Sequence, residues 1–343
     1  MQDTFRRLLF CFVYRYKNIF ICCLMRTESI FRALSDPTRL RILRILGSME
    51  LAVGEVAQIL GQSQPRVSRH IGILCDAGLA ERRREGSWIF LRARADGALC
   101  SEVLKLLEAA ERVDAEFAAL CEDDRRKLAE IRSAREEQAE QYFADHAHDW
   151  DELRRLHSSD AEVETALSGA LGDNRLGRLL DIGTGTGRMA ELFAGGADHI
   201  VALDKSLAML RVARAKLQHL PTERVELVQG DFAQLPFAPS SFDTVLFHQV
   251  LHFAQNPATV LAEAARVTRN GGRVAIVDFA AHQREELRER HAHARLGFSD
   301  EQMEGLLTDA GFDPEAPIAL ADGELAVKIW VAQRRVAAGR KAS

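Results

Sequence analysis

The sequence predicts a chain of mixed class. A mainly α amino-terminal domain, shaped as a winged helix-turn-helix, precedes an α/β carboxyl-terminal domain with a doubly wound, Rossmann-like sheet. Three observations predict this. Residues 178–193 run from an apolar strand through a glycine-rich turn into a helix. Four more apolar, strand-like stretches follow at helix-length intervals. Residues 53–77 read as two short helices joined by Gly61-Gln62, just ahead of an arginine-rich pair of strands.

The 343 residues suffice for two domains with separate cores. The net charge of −5 excludes a chain that binds polyanions over its whole surface, so any nucleic-acid contact must be local. The cysteines (Cys11, Cys22, Cys23, Cys75, Cys100, Cys121) show no C-x-x-C spacing. They fit a reducing compartment, hence a cytoplasmic location.

Residues 1–25 form an atypical extension that holds Phe5, Phe10, Phe12, Phe20, Tyr14 and Tyr16. Its longest apolar run, Ile19 to Met25, is too short for a bilayer, which takes about 20 residues. Met25 is the expected natural start, with a membrane-surface segment as the alternative. No membrane partner is expected.

Residues 26–98 carry the winged helix-turn-helix. Ser35 or Asp36 caps a helix with Pro37 at a first position. Val53 to Leu60 is a short helix, and Ser63 caps a second one, from Gln64 to Ala77. Arg82 to Leu91 reads as a hairpin with Glu85-Gly86-Ser87 at its tip. On the second helix Val67, Ile71 and Leu74 form one narrow stripe and must pack inward. Gln64 and Arg66 flank its amino end, and Ser68 and Arg69 point away from the stripe. Such short polar and cationic groups suit base edges and phosphates in a major groove. Residues 61–94 hold seven arginines against three acids, a local net of +4 inside an acidic chain.

About residues 28–95 resemble the ArsR/SmtB family of dimeric winged-helix transcriptional regulators. The resemblance rests on Ala33-Leu34-Ser35-Asp36-Pro37-Thr38-Arg39-Leu40-Arg41-Ile42-Leu43 and Ser63-Gln64-Pro65-Arg66-Val67-Ser68-Arg69-His70-Ile71. It implies a double-stranded DNA operator as partner and a homodimer. Metal-sensing members carry cysteines in the segment matching Glu50 to Glu55; Ala52 and Gly54 stand there, supply no thiolate, and leave no metal site expected. Residues 99–144 form a helical linker. The stretch 101–142 lacks Gly and Pro and repeats Val103, Leu106, Leu107, Ala110, Val113, Phe117, Leu120, Leu128 and Ile131 at helical intervals, as one or two long helices. The resemblance implies that this segment also contributes to dimerisation.

Residues 145–335 carry the α/β domain, and 336–343 a tail. In Leu179-Leu180-Asp181-Ile182-Gly183-Thr184-Gly185-Thr186-Gly187-Arg188-Met189 two glycines fit a dinucleotide fingerprint, but Arg188 stands where a third small residue belongs. An acid, Asp181, lies inside the motif instead. Asp204 ends a second strand about 20 residues beyond the glycines, where a ribose-binding acid belongs. Val225 to Phe232 ends in Gly230-Asp231. Phe242 to His248 and Asn270 to Asp278 supply the fourth strand, then a turn and the fifth.

In order and spacing these five stretches resemble the class I S-adenosylmethionine methyltransferases, over about residues 145–333. Tyr142 to His157 resembles the short helix that precedes that core and covers the cofactor. The resemblance implies S-adenosylmethionine as cofactor. Asp181, Gly183, Thr184, Gly185 and Gly187 would form the methionine-side loop. Asp204, with Lys205 beside it, would face the ribose. Asp231 would accept from the adenine amino group, with Phe232 beside the ring. His248 is the candidate catalytic residue and a further cofactor contact; His252, His282, His291 and His293 follow it. Phe247-His248-Gln249-Val250 holds no N/D-P-P-Y/F motif, which argues against methylation of a nucleobase amino group. The domain has no cysteine, which argues against arsenite methylation. A small-molecule methyl acceptor remains. The expected function is a DNA-binding transcriptional regulator with a methyltransferase domain. The alternative is a repressor that senses S-adenosylmethionine or S-adenosylhomocysteine without turnover.

Overall fold

The computed structural model describes residues 27–85, 88–94, 98–150, 160–172, 176–221, 223–320 and 325–336. The amino-terminal extension, the hairpin tip at 86–87, residues 151–157 of the expected covering helix, and the tail from 337 lie outside these. The chain divides into two units between Ala134 and Arg135.

In the first unit a helical stretch over residues 27–34 precedes α1 (Pro37–Leu46). Asp36 is the cap, its carboxylate accepting from the Arg39 amide at 3.2 Å. The Arg39 guanidinium turns back to donate to the Arg32 and Ala33 carbonyls, which satisfies the end of the preceding helical turn. Helix α2 (Val53–Leu60) stops at Gly61 in the left-handed conformation (φ 62°). Glu55 accepts from the Ala52 amide at 2.8 Å and steadies its start. Helix α3 (Gln64–Asp76) begins after Ser63, but the Ser63 side chain makes no capping bond. Pro65 presets the first turn and removes one orphan donor, so the hydroxyl is not needed. Strands β1 (Leu51–Ala52), β2 (Ala80–Glu85) and β3 (Trp88–Ala93) form a sheet of order β1-β3-β2, with pairing that runs out to Glu85 opposite Trp88.

Val67, Ile71 and Leu74 are fully buried, as their stripe requires, against Ile42, Leu43 and Ile59. Each such side chain contributes about 1.5–3 kcal/mol of burial energy. Two helices follow: α4 (Ala98–Val113) and α5 (Ala115–His146). They break at Asp114, whose Oδ1 accepts from the Glu116 and Phe117 amides at 3.1 and 3.0 Å. Val103, Leu107 and Leu128 belong to the first core, so much of the stretch expected as a linker is built into this unit. Arg41 and Asp124 tie α1 to α5 through two bonds of 2.7 and 2.6 Å.

The second unit contains α6 (Asp160–Leu171), β4 (Arg178–Ile182), α7 (Arg188–Phe193), β5 (His199–Asp204), α8 (Leu207–Leu217) and β6 (Val225–Gln229). Then come β7 (Phe242–His248), α9 (Pro257–Val267), β8 (Thr268–Phe279), α10 (Glu286–Arg290), α11 (Asp300–Asp309), β9 (Phe312–Pro314), β10 (Ile318–Leu320) and β11 (Val327–Arg334). The sheet order is β10-β11-β8-β7-β4-β5-β6, with β9 paired to β11. Strands β8, β7, β4, β5 and β6 are parallel, and β11 lies antiparallel to β8. Alternate residues are buried on opposite faces: Leu179 and Leu246 on one, Leu180 and Val245 on the other. A parallel sheet covered on both sides demands that pattern.

The five expected strands are β4 to β8. The turn expected at Asn270-Gly271-Gly272 instead lies within β8 as an irregularity. Pairing jumps from Phe242 opposite Thr268 to Thr244 opposite Arg273, and Gly271 takes a φ of 74°. The strand order reverses at β4, which has β5 on one side and β7 on the other. Its carboxyl end is therefore the topological switch point, where open α/β sheets bind ligands.

Candidate functional site

The glycine turn leaves β4 at this point. Gly183, Gly185 and Gly187 all have positive φ, at 69°, 54° and 87°. At Gly183 a side chain would also run into Val250, so only glycine fits. The Gly183 and Thr184 amides donate to the Leu203 carbonyl at 2.8 and 2.9 Å and bind the turn to β5. Thr184 Oγ1 donates to Asp181 Oδ2 at 2.6 Å, with both residues buried. Asp204 joins the second strand to the same turn: Oδ2 accepts from the Gly185 amide at 2.9 Å and Oδ1 from the Ser206 amide at 2.8 Å. Burial pushes the Asp204 carboxyl above its ordinary range, against the pull of the Ser206, Gly185 and Lys205 amides. Lys205 is exposed and reaches Asp231 Oδ2 at 3.4 Å. Asp231 also accepts from the Ala233 amide at 2.8 Å, and Phe232 packs on the core behind it. The structure thus brings Asp181, Gly183, Thr184, Gly185, Gly187, Asp204, Lys205, Asp231 and Phe232 to one edge of the sheet.

Arg188, the residue that breaks the dinucleotide fingerprint, is not available to a pyrophosphate. Glu164 on α6 holds its guanidinium through two bonds of 2.7 Å. The acids at the strand ends suit a cation and hydroxyl groups rather than phosphates.

His248 is buried at the end of β7. The chain leaves that strand through Gln249, whose φ of 52° costs a non-glycine residue about 1–2 kcal/mol. Val250 then seats on Gly183, and a 3-10 turn (Leu251–Phe253) carries His252 and Phe253. Trp150 also lies against the turn, its Nε1 3.5 Å from the Cβ position of Gly185. Trp150, Phe143 and Phe253 form an edge-on aromatic cluster, with Phe143 and Phe253 centroids 4.8 Å apart. Tyr142 and Phe143 lie in the last turns of α5, not in a separate short helix. The alanine- and glutamate-rich stretch ahead of them has no breaker, so the helix runs through. Trp150 falls in the stretch expected to cover the cofactor and His252 among the histidines that follow the fourth strand, whereas Asp278 carries no role in the sequence reading. Asp278 stands one residue before the end of β8, much as Asp204 ends β5, and that parallel was the available signal.

In the first unit Gln64, Arg66 and Arg69 are exposed on α3, and Ser68 is half-buried. Arg66 and Arg69 meet no carboxylate among the described residues. Part of the local positive excess is neutralised: Arg83 binds Glu50 at 2.8 Å and Arg92 binds Glu81.

A family model for bacterial regulatory proteins of the arsR family matches residues 36–82, and a methyltransferase-domain model matches residues 180–276. The chain joins an ArsR-type helix-turn-helix domain to a methyltransferase domain. Demethylmenaquinone methyltransferase of Renibacterium salmoninarum is 37% identical over 103 residues, 30% of this chain and 41% of that protein. Phosphatidylethanolamine N-methyltransferase of Cereibacter sphaeroides is 37% identical over 111 residues, 32% of this chain and 54% of that protein. The chain thus spans about two-fifths to one half of the length of these relatives. Among solved structures, a SAM-dependent methyltransferase from Aquifex aeolicus is 19% identical over 55% of this chain and 97% of its own, with a TM-score of 0.45.

The methyltransferase domain implies S-adenosylmethionine as its cofactor, and the site fits that molecule. Gly185 keeps a side chain out of the turn, with Trp150 at ordinary contact distance from its Cβ position, and the acids that follow β5 and β6 offer acceptors for hydroxyl and amino groups. No described helix is long and apolar enough to cross a membrane.

Proposed function

We propose that the chain is a cytoplasmic, homodimeric transcriptional regulator that binds operator DNA through α3 and methylates a small molecule in its second domain. The observation that carries the reading is the pairing, in one chain, of an exposed cationic α3 with an acid-lined glycine turn at the switch point of the sheet. Bound there, S-adenosylmethionine supplies a methyl group on a sulfonium sulfur. In this reading Asp204 takes the ribose hydroxyls, Asp231 the adenine amino group, and the turn from Asp181 to Gly187 encloses the methionine part. His248 lies near enough to the turn to contact cofactor or acceptor. Gln64, Arg66, Ser68 and Arg69 contact DNA.

Leu99, Leu106 and Val113 support the dimer. They are 53%, 62% and 87% exposed at seven-residue spacing along α4, an apolar stripe of the kind that helices pair through. A second reading is ligand sensing without turnover, which the acid-lined glycine turn fits equally. Calorimetric titration with S-adenosylmethionine and S-adenosylhomocysteine, with and without a duplex selected from random DNA, tests both. Regulation requires a shift in DNA affinity of about 5- to 150-fold on ligand saturation, and DNA must shift ligand affinity by the same factor. Equal DNA affinity at zero and saturating ligand removes the sensor and leaves a tethered enzyme. No heat with either ligand removes both.

A further inference from the structure

The second unit holds a carboxylate–imidazole pair that the cofactor site does not use. His252 Nδ1 is 2.8 Å from Asp278 Oδ1, and the His252 amide donates to Oδ2 at 3.1 Å. The Phe279 amide donates to Oδ1 at 2.8 Å. The Asp278 side chain is fully buried and the His252 ring nearly so. A carboxylate accepting at Nδ1 requires the proton on that nitrogen and leaves the lone pair on Nε2. Among the described residues Nε2 has no hydrogen-bond partner. A buried imidazole, fixed in one tautomer by a carboxylate and open at the other nitrogen, is built to accept a proton.

Its position matters as much. Val250, two residues before His252, seats on Gly183, and Phe253, the next residue, meets the Trp150 that lies against Gly185. The pair therefore sits on the segment that packs against the cofactor turn. Phe253, Phe143 and Trp150 pack against one another beside that segment, mostly edge to face, and give it an aromatic surround.

We propose that His252, oriented by Asp278, takes the hydroxyl proton of a phenolic methyl acceptor, so that the second domain acts on hydroxylated aromatic rings. The proposal rests on the methyltransferase reading above. A neutral amine attacks with a lone pair it already has, whereas a phenol must lose its proton as it attacks. In the step the hydroxyl proton moves to Nε2 and an oxygen lone pair forms the new bond to the methyl carbon. The carbon–sulfur bond breaks with its pair left on sulfur, which becomes a neutral thioether. The imidazolium, still paired with ionised Asp278, returns its proton to water. Asp278 is a positioning residue. The other titratable groups facing His252 are His293, stacked at 4.1 Å between centroids, and Arg295, whose amide donates to the His252 carbonyl.

The test uses the full chain, saturating S-adenosylhomocysteine and 4-nitrophenol, whose absorbance reports its ionisation. The bound probe ionises about one pH unit or more below the free probe. His252→Gln abolishes that shift, with S-adenosylmethionine affinity as the check that the variant is folded. Asp278→Asn reduces the ionisation shift of the bound probe while leaving S-adenosylmethionine affinity unchanged, a change that a merely structural role would not produce. With S-adenosylmethionine present, wild type converts the probe to 4-nitroanisole and His252→Gln does not. If Asp278→Asn does not fold, the His252→Gln results decide alone. The proposal is overturned if the probe fails to bind, binds in its neutral form, or ionises equally in His252→Gln. It is also overturned if labelled methyl goes to ethanolamine and never to the phenol. If wild type binds neither adenosyl ligand, the methyltransferase reading itself has failed.

Discussion

Replacing Asp204 by alanine is the sharpest perturbation of the cofactor edge. The carboxylate has two duties in the protein itself, since it accepts from the Gly185 and Ser206 amides. A hydrogen bond to an ionised group contributes about 1.5–3 kcal/mol. The residue is half-buried, so water replaces part of both bonds. The expected loss is about 1.5–3 kcal/mol in all, or a fall in Tm of about 3–12 °C for a unit of this size. Cofactor binding loses a further charge-assisted bond to the ribose, so S-adenosylmethionine affinity falls about 10- to 100-fold. Calorimetry gives the affinity and a thermal melt the stability. A variant that melts and binds as wild type does would refute both the bracing of the turn and the ribose role.

Acid should weaken the same binding early. Burial raises the Asp204 carboxyl, and the ionised form is the one that accepts from ribose, so affinity is full above that raised pKa and falls as pH drops through it. A titration that stays flat from neutral pH down to about 4, near the ordinary aspartate value, removes the charge from the argument. Arg69→Ala should weaken DNA binding and reduce the slope of log affinity against log salt by about 0.9; an unchanged slope in gel shifts takes Arg69 off the phosphates. Asp124→Ala removes the buried carboxylate that holds the half-buried Arg41 guanidinium and should cost the first unit about 1.5–3 kcal/mol, read by hydrogen exchange along α1. A cost below about 1 kcal/mol would place the pair with ordinary screened bridges.

The parallel strands and the helix-turn-helix were legible in the sequence because their signals are local. Burial on both faces makes an apolar run, and a left-handed turn needs glycine. The inward stripe of α3 was read residue by residue. What escaped depends on distant partners. Nothing near Arg39 announces that it ties off an earlier helical turn, and nothing near Arg188 announces Glu164. Strand β11 pairs with β8 across 40 and more residues, so its short alternating run gave no neighbour to pair with. The pairing of His252 with Asp278 becomes visible only when the fold brings the end of β8 beside the turn that follows β7.

Val250 against Gly183 bears on how such chains change over time. A glycine motif is commonly taken as the imprint of the ligand it cradles. Here one of its glycines is demanded by a neighbouring valine and by the chain's own backbone, whether or not anything is bound. A descendant that lost its cofactor would still be held to glycine at that position by folding alone. Gly185 shares the left-handed backbone but, with Trp150 at ordinary contact distance, meets no such clash with a neighbour, so its hold on glycine is the weaker of the two. Drift there, rather than at Gly183, would be the first mark of a lineage that had turned from catalysis to another use of the fold.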